Sequence, residues 1–418
     1  MKNQVSLKLK NNFDIKFQGE PSLDIKKISS TGIVGVCPAN FNFIKAKLVV
    51  KIGDSVKRGQ ALFFDKKNPQ IYFHSPISGI IKDVVYGPQR RLDLIQINPS
   101  NDAPLTFSKL DINKITVSEF KSAILERGLW NGFIELPFYN IPDPSKTPPA
   151  IIVPLSHSEP FQPKISTVID QYQDDIISGL KWLKKLCPEI KVFIDAQEKV
   201  NLDQINEEVP VIRVSGDFAA TGAGAVAYHL KTSAKENNSW ICNWQHVVKI
   251  GRTLSTNQYF NETLISLGGN QTDDNQHYIV TEGIALDEVF KLENKTNRVI
   301  CGGLFTGLHI ISPEYLPIGS TAINIIDNDP QTEFLSFMQL GVDKPSYTTA
   351  YVSGIINKVL PQLTKASSAL NGSNRDCVSC GYCEVVCPVD SVPQTLLRNT
   401  KTNDVEESMR IGLLDCSG

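Results

Sequence analysis

Four cysteines near the C-terminus carry the clearest chemical signal in the chain. Cys377, Cys380, Cys383 and Cys387 are spaced C-x2-C-x2-C-x3-C and followed by Pro388. In bacterial ferredoxins this run wraps thiolates around a cubane iron–sulfur cluster. A sulfur at every third residue lets one short loop turn its ligands toward one core, and Gly381 supplies a permissive backbone position within it. The spacing therefore predicts [4Fe–4S] ligation by these four residues. The other reading is a disulfide-forming group, or one that serves structure without metal. In two-cluster ferredoxins the fourth cysteine of one run ligates the other cluster. Here no complete second run exists, and Cys416 is the one cysteine beyond the first.

No other constellation in the chain reads as catalytic. His246, His277 and His309 have no cysteine or carboxylate at ligand spacing and are read as structural. No nucleophile–base pair or paired-carboxylate motif stands out, so the catalytic residues are unknown and a hydrolytic centre is not expected. Cys37, Cys187, Cys242 and Cys301 are scattered and read as small core residues. Nine cysteines with four in one run fit a reducing compartment better than a disulfide framework.

The elements that must position the cysteine run fill 418 residues, enough for about three domains. The composition is that of a globular protein, with 41% hydrophobic and 21% charged residues and a net charge of −2. No basic excess points to nucleic acid, and no polybasic cluster to a lipid surface. The N-terminus, MKNQVSLKLKNNF, lacks a signal-peptide core, and no apolar run approaches the roughly 18 residues of a membrane span. Any membrane association is therefore expected to run through partner proteins.

Residues 31–98 read as short strands between Gly and Pro breakers. The string VKIGDSVKRGQALF…SPISGIIKDV resembles the barrel-sandwich hybrid fold of lipoyl and biotinyl domains, with Gly53, Gly59 and Gly79 at its turns. Lys66 and Lys67 stand where a carrier domain would present its attachment lysine, although Asn68–Pro69 lengthens that hairpin. The plainer reading is of solvated turn charges. Next, Thr116-Val-Ser-Glu119 forms a capping box ahead of a short amphipathic helix. The aromatic stretch LERGLWNGFIELPFYN reads as a hydrophobic strap or a partner surface.

From Ala150 buried strands AIIVP, KVFID and VPVIRV alternate with helices, the longest from about Ile165 to Cys187. This alternation predicts a Rossmann-like parallel sheet. After the third strand, Gly216–Leu230 reads as a glycine-rich turn opening a helix. It offers either a phosphate cradle or small residues for close packing, and packing is favoured because no G-x-G-x-x-G is present. Residues 240–330, including WQHVVKIGR, read as short strands and turns, with one helix after Glu282–Gly283. Two helices follow the cysteine run.

The ordered segments resemble one family along nearly the whole chain, the A subunit of the sodium-translocating NADH:quinone oxidoreductase. They are FDIKFQGEPS, VKIGDSVKRGQALFFDKKNP, SPISGII, LERGLW, QHVVKIGR, NRVICGGLFTG and PVDSVPQTLLR. The resemblance implies an α/β multidomain architecture. Residues 1–100 would form the barrel-sandwich hybrid domain with an N-terminal arm, and 101–250 a connector plus the Rossmann-like domain. Residues 251–340 would form a β-grasp-like domain, and 341–418 a helical C-terminal region with the cysteine run.

It further implies a peripheral subunit, on the cytoplasmic face of a bacterial inner membrane, of a complex that oxidises NADH, reduces ubiquinone and exports sodium. Such a subunit contributes to the quinone-reactive region and docks on the membrane-embedded B subunit; it is not catalytic alone. The family is similar to the C subunit of the RNF electron-transfer complex. The flavin-binding GGAGFPT loop of those relatives is replaced here by AATGAGAVAYH, which places flavin and NAD on other subunits. Many members of the closer family keep the frame of Arg375, Gly381, Tyr382, Pro388, Asp390 and Pro393 without the cysteines. The run in this chain resembles the RNF-type version, in which such a subunit would accept electrons from a soluble donor through a [4Fe–4S] cluster.

Overall fold

The computed structural model describes residues 6–9, 16–157, 159–291, 297–310, 314–328, 366 and 377–416. Arg375 of the frame, and the loop-rich stretch expected from Gly341, lie outside the described residues.

The N-terminal arm carries β1 (Ser6–Lys8) and β2 (Ile25–Ile28), which pair with strands far along the chain. The barrel-sandwich hybrid follows as β3 (Val34–Val36), β4 (Ala46–Leu48), β5 (Ser55–Val56), β6 (Ala61–Asp65), β7 (Tyr72–His74), β8 (Gly79–Tyr86) and β9 (Leu92–Pro99). These make two sheets, ordered β3-β9-β8-β5 and β4-β6-β7. Val56, Leu62, Phe63, Phe73, Ile81, Ile95 and Ile97 fill the space between them. Phe63 and Phe73 stack with ring centres 4.5 Å apart. Gly53 and Gly59 take left-handed backbone at their turns, with φ of +89° and +86°.

Helix α1 (Val117–Glu126) begins at the expected capping box, in which the Glu119 amide donates to Thr116 Oγ1 and the Thr116 amide to Glu119 Oε2. The aromatic stretch after it is a strap. Trp130 and Phe133 are buried, and two histidines from different domains hold its main chain. His74, at the end of β7, donates from Nε2 to the Glu126 carbonyl at 2.9 Å. His246 donates from Nε2 to the Leu129 carbonyl at 2.7 Å. Gly128 and Gly132 make room for these rings, since a methyl at either would run into His74 or His246 respectively.

The α/β domain comprises β10 (Ile134–Glu135), β11 (Ile151–Pro154), α2 (Ile169–Leu186), β12 (Ile190–Asp195), α3 (Asp203–Glu208), β13 (Val211–Ser215), α4 (Ala223–Leu230), β14 (Trp240–Ile241) and α5 (Trp244–Thr256). Its sheet runs β1-β13-β12-β11-β14-β10. Strands β11 to β14 are mutually parallel and β10 antiparallel, so the order reverses between β11 and β14 as in a Rossmann sheet. On α2, Ile169, Tyr172, Ile176, Leu180 and Leu183 are all buried. Each contributes about 1.5–3 kcal/mol by leaving water.

Helix α5 corrects the reading of WQHVVKIGR as a strand. Asn243 caps it, its side chain accepting from the His246 amide at 2.8 Å. Trp244, Val247, Val248 and Leu254 recur at helical spacing and are buried. Gly179 on α2 and Gly251 on α5 let the two helices touch backbone to backbone, since a methyl on either would strike the Val247 or Asp175 carbonyl.

The last sheet holds β15 (Glu262–Gly268), β16 (Gln276–Thr281), β17 (Arg298–Cys301), β18 (Leu308–Ile310) and β19 (Ala322–Ile326). Its order is β18-β17-β19-β15-β16-β2, with β19 parallel to β15 at the centre. This is a β-grasp arrangement extended by β2 of the arm. The helix expected after Glu282–Gly283 is a single 3-10 turn, Leu286–Glu288, and the residues leading into it, Ile284 to Leu286, pair with the Glu314–Leu316 segment.

The C-terminal region has α6 (Tyr382–Val386), α7 (Pro393–Lys401) and α8 (Val405–Arg410).

Candidate functional site

The structure brings together two features that lie far apart in sequence, the cysteine run and the glycine-rich helix α4. Cys387 and Val389 pack with Ala225, and Tyr228 lies against them. His229 donates from Nε2 to the Pro388 carbonyl at 2.8 Å, and Lys231 pairs with Asp415 at 2.9 Å. The Lys231 ammonium also lies 4.1 Å from the centre of the Tyr228 ring. The small residues of α4 therefore serve packing on both sides. Ala225 meets the C-terminal region, while Val226 and Ala227 face the sheet core with Phe193 and Ile241.

None of the nine cysteines is in a disulfide. Cys377 and Cys380 are exposed on irregular backbone, Cys383 lies half-buried on α6, and Cys387 is buried at its end. Gly381 caps α6 in the left-handed region, with φ +73°. The Ser379 amide donates to Cys377 Sγ at 3.4 Å and the Ser391 amide to Cys387 Sγ at 3.3 Å. Such N–H donors lower the charge that a thiolate or cluster sulfur must carry. The donor set fits a cubane cluster in number and softness. Among the described residues no three metal-binding side chains are already gathered into one group.

A second concentration of functional groups lies at the carboxyl ends of the parallel strands, where open α/β sheets bind ligands. His157 follows β11 there. Its Nε2 is buried with no partner among the described residues, and burial pulls its pKa down to about 4. Glu159 accepts from the Phe305 amide at 2.7 Å, from the Thr306 amide at 3.3 Å and from the Thr306 hydroxyl. These contacts fasten the β-grasp loop Gly302–Gly307 to this edge. Phe305 lies 4.9 Å from Phe218 and 5.9 Å from Phe17 between ring centres, and Phe17 also contacts Phe161. Phe305 remains half exposed. Cys242 directly follows β14 at the strand-order reversal, where burial pushes its thiol pKa up.

The sequence gives no spacing signal for His157, Glu159 and Phe305, because their neighbourhood arises only when two domains meet. Two of the three histidines singled out by sequence, His246 and His277, hold main-chain groups. His246 holds the strap. His277 Nδ1 contacts the Ser22 carbonyl and its Nε2 accepts from the Lys164 amide. His309 sits on β18. Lys66 and Lys67 lie in the β6–β7 hairpin loop, where Lys67 Nζ donates to the Phe43 carbonyl at 2.8 Å.

Residues 7–100 match the NqrA N-terminal barrel-sandwich hybrid domain family, and residues 115–259 match the NqrA second alpha/beta domain family. The A subunit of the Na(+)-translocating NADH-quinone reductase of Pseudomonas aeruginosa PAO1 is 28% identical over 98% of this chain and 92% of its own length. The same-named protein of Vibrio vulnificus YJ016 is 28% identical over 97% and 92%. The Haemophilus influenzae Rd protein of that name is 27% identical over 97% and 92%. The chain belongs to the NqrA family. Among the described residues, no helix of this NqrA-family chain is long and apolar enough to cross a membrane.

Proposed function

We propose that this chain is a peripheral subunit of a membrane complex that oxidises NADH, reduces ubiquinone and exports sodium. It would be held to that complex by a membrane-embedded B-type partner and inactive by itself. The observation that carries this reading is the likeness to its NqrA relatives along nearly the whole chain. Flavin and NAD then belong to other subunits, in keeping with the AATGAGAVAYH segment, whose helix is consumed in packing.

Two surfaces support the roles within such a complex. The C-terminal region leaves Val378, Val385, Leu397, Val405 and Met409 exposed. These exposed apolar side chains on the helical unit are the surface proposed here for contact with the partner. The aromatic edge of Phe17, Phe218 and Phe305 stands at the ligand-binding end of the sheet, and it suits a planar, apolar quinone head group.

Purification of the tagged full-length chain from detergent-solubilised membranes of its native host tests the first role. A multi-span partner and NADH-driven quinone reduction are expected to co-elute, and Val385→Asp with Leu397→Asp is expected to release both. A chain found alone in the soluble fraction would overturn the reading. Phe305→Ala is expected to raise the apparent KM for quinone several-fold while leaving NADH oxidation by an artificial acceptor unchanged. An unaltered quinone KM removes the aromatic edge from the quinone-reactive region.

A further inference from the structure

We propose that the outer face of the β4-β6-β7 sheet docks on an anionic lipid surface. This goes beyond the proposed function, which attaches the chain through a protein partner, and it does not depend on that reading. Charge is the first observation. Residues 34–99 hold ten lysines and arginines against four aspartates and no glutamate, a balance of +6. The whole chain carries −2, so the remainder carries −8.

Strand geometry gathers that charge on one face. Along the sequence these lysines never stand more than two together, so no linear polybasic segment forms. From the start of β4 to the turn beyond it, Lys45, Lys47, Val49 and Lys51 are exposed, alternating with the more buried Ala46, Leu48 and Val50. Pairing sets Lys47 beside Phe64 and Phe64 beside Tyr72. Lys47 Nζ lies 5.7 Å from the centre of the Phe64 ring. Lys66 follows β6, and its amide donates to the Lys45 carbonyl at 2.8 Å. Among the described residues, none of Lys45, Lys47, Lys51, Lys66 and Lys67 makes an ion pair.

The neighbouring carboxylates do not cancel these five ammonium groups. Asp65 is buried and accepts from the Lys45 and Lys67 amides at 2.8 and 3.1 Å, so its charge lies inside the fold. Asp54 is exposed and accepts from the Lys51 amide at the far end of the face.

Apolar side chains among the lysines favour lipid over a charged macromolecule. Phe43 precedes β4 and Ile52 follows it, at 65% and 61% exposure, with Val49 between them at 48%. In a headgroup layer the ammonium groups reach phosphate while such side chains enter the acyl boundary. Lysines on an edge strand also keep other strands from pairing with it. That role accounts for Lys45 and Lys47. It does not account for Lys66, Lys67, Phe43 and Ile52, which lie off the strand.

Flotation of the purified full-length chain with vesicles is the test, using phosphatidylcholine alone and phosphatidylcholine mixed with phosphatidylglycerol. Binding is expected only to the mixed vesicles, and it should fade as added salt shortens the Debye length. Each lysine near such a surface strengthens binding about fivefold, so Lys47→Gln/Lys66→Gln should weaken it about 30-fold. Lys199→Gln/Lys235→Gln, at exposed positions of the α/β domain, should leave it unchanged. All four native tryptophans are buried, so Ile52→Trp supplies an exposed reporter whose emission should shift to the blue on mixed vesicles. No binding, equal binding to both vesicle types, or equal weakening by the control pair would overturn the proposal. So would flotation with no shift in the Ile52→Trp emission. Retention on heparin or polyglutamate without flotation would also overturn it, and would assign the face to a polyanionic macromolecule.

Discussion

Lys249 and Glu282 give the sharpest test of how the domains are held together. Lys249 lies on α5 of the α/β domain and Glu282 at the end of β16 in the β-grasp domain, and each side chain is only 8% exposed. The ammonium donates to both carboxylate oxygens, at 2.7 and 2.8 Å, and to the Tyr259 hydroxyl at 2.7 Å. Burial works against the Lys249 charge, but Glu282 and Tyr259 outweigh it and hold its pKa above that of an ordinary lysine. Glu282→Gln keeps the shape and removes the countercharge, leaving a buried cation on a neutral amide. Breaking a buried pair from one side costs about 3–5 kcal/mol. Lys249→Met strands the carboxylate at a similar cost. The double variant Lys249→Met/Glu282→Leu removes both charges and is expected within about 1–2 kcal/mol of the parent, so the cycle should show strong coupling. Urea unfolding followed by tryptophan fluorescence reads it, since Trp244 lies on the same helix as Lys249. Single variants that cost less than about 1 kcal/mol and add without coupling would show a hydrated pair. They would refute the claim that it fastens the domains.

Other predictions rest on the strap and on the helix contact. Burial lowers the pKa of His74 to about 4 and of His246 to about 3, against an ordinary 6.5. Both are neutral when folded and charge readily when unfolded. Their contribution is therefore complete above pH 6.5 and lost as pH falls toward 4. The urea midpoint should drop steeply across that window, and His74→Gln/His246→Gln should flatten the slope; an unchanged slope refutes the assignment. Gly251→Ala forces α2 and α5 apart and is expected to cost about 1–3 kcal/mol, measured by the same unfolding; a neutral effect would contradict the backbone contact. Asn243→Ala removes the α5 cap and should cost about 1 kcal/mol. No loss in helix stability by hydrogen exchange would count against the cap.

Much of the architecture was legible because it is written in local chemistry. The capping box at Thr116–Glu119, the alternating strands of the barrel and the apolar face of α2 each follow from residues within a few positions of one another. The misread stretch, Trp244–Thr256, shows where that fails. WQHVVKIGR is rich in β-branched residues, and its helix is decided by the Asn243 cap and by the Gly179–Gly251 contact with α2, more than sixty residues earlier. The arm was equally opaque, since β1 and β2 find their partners at β13 and β16.

The cysteine spacing, the absence of a phosphate-binding glycine motif and the order of family segments were fixed by sequence alone, because each is a property of neighbouring residues. Tertiary structure decided the rest. It seated Cys387 on α4, buried a strap between two histidines, and joined Glu159 to the Phe305 loop across more than a hundred residues. Contacts of that kind depend on which apolar faces meet when domains close over one another. No spacing rule along the chain encodes them.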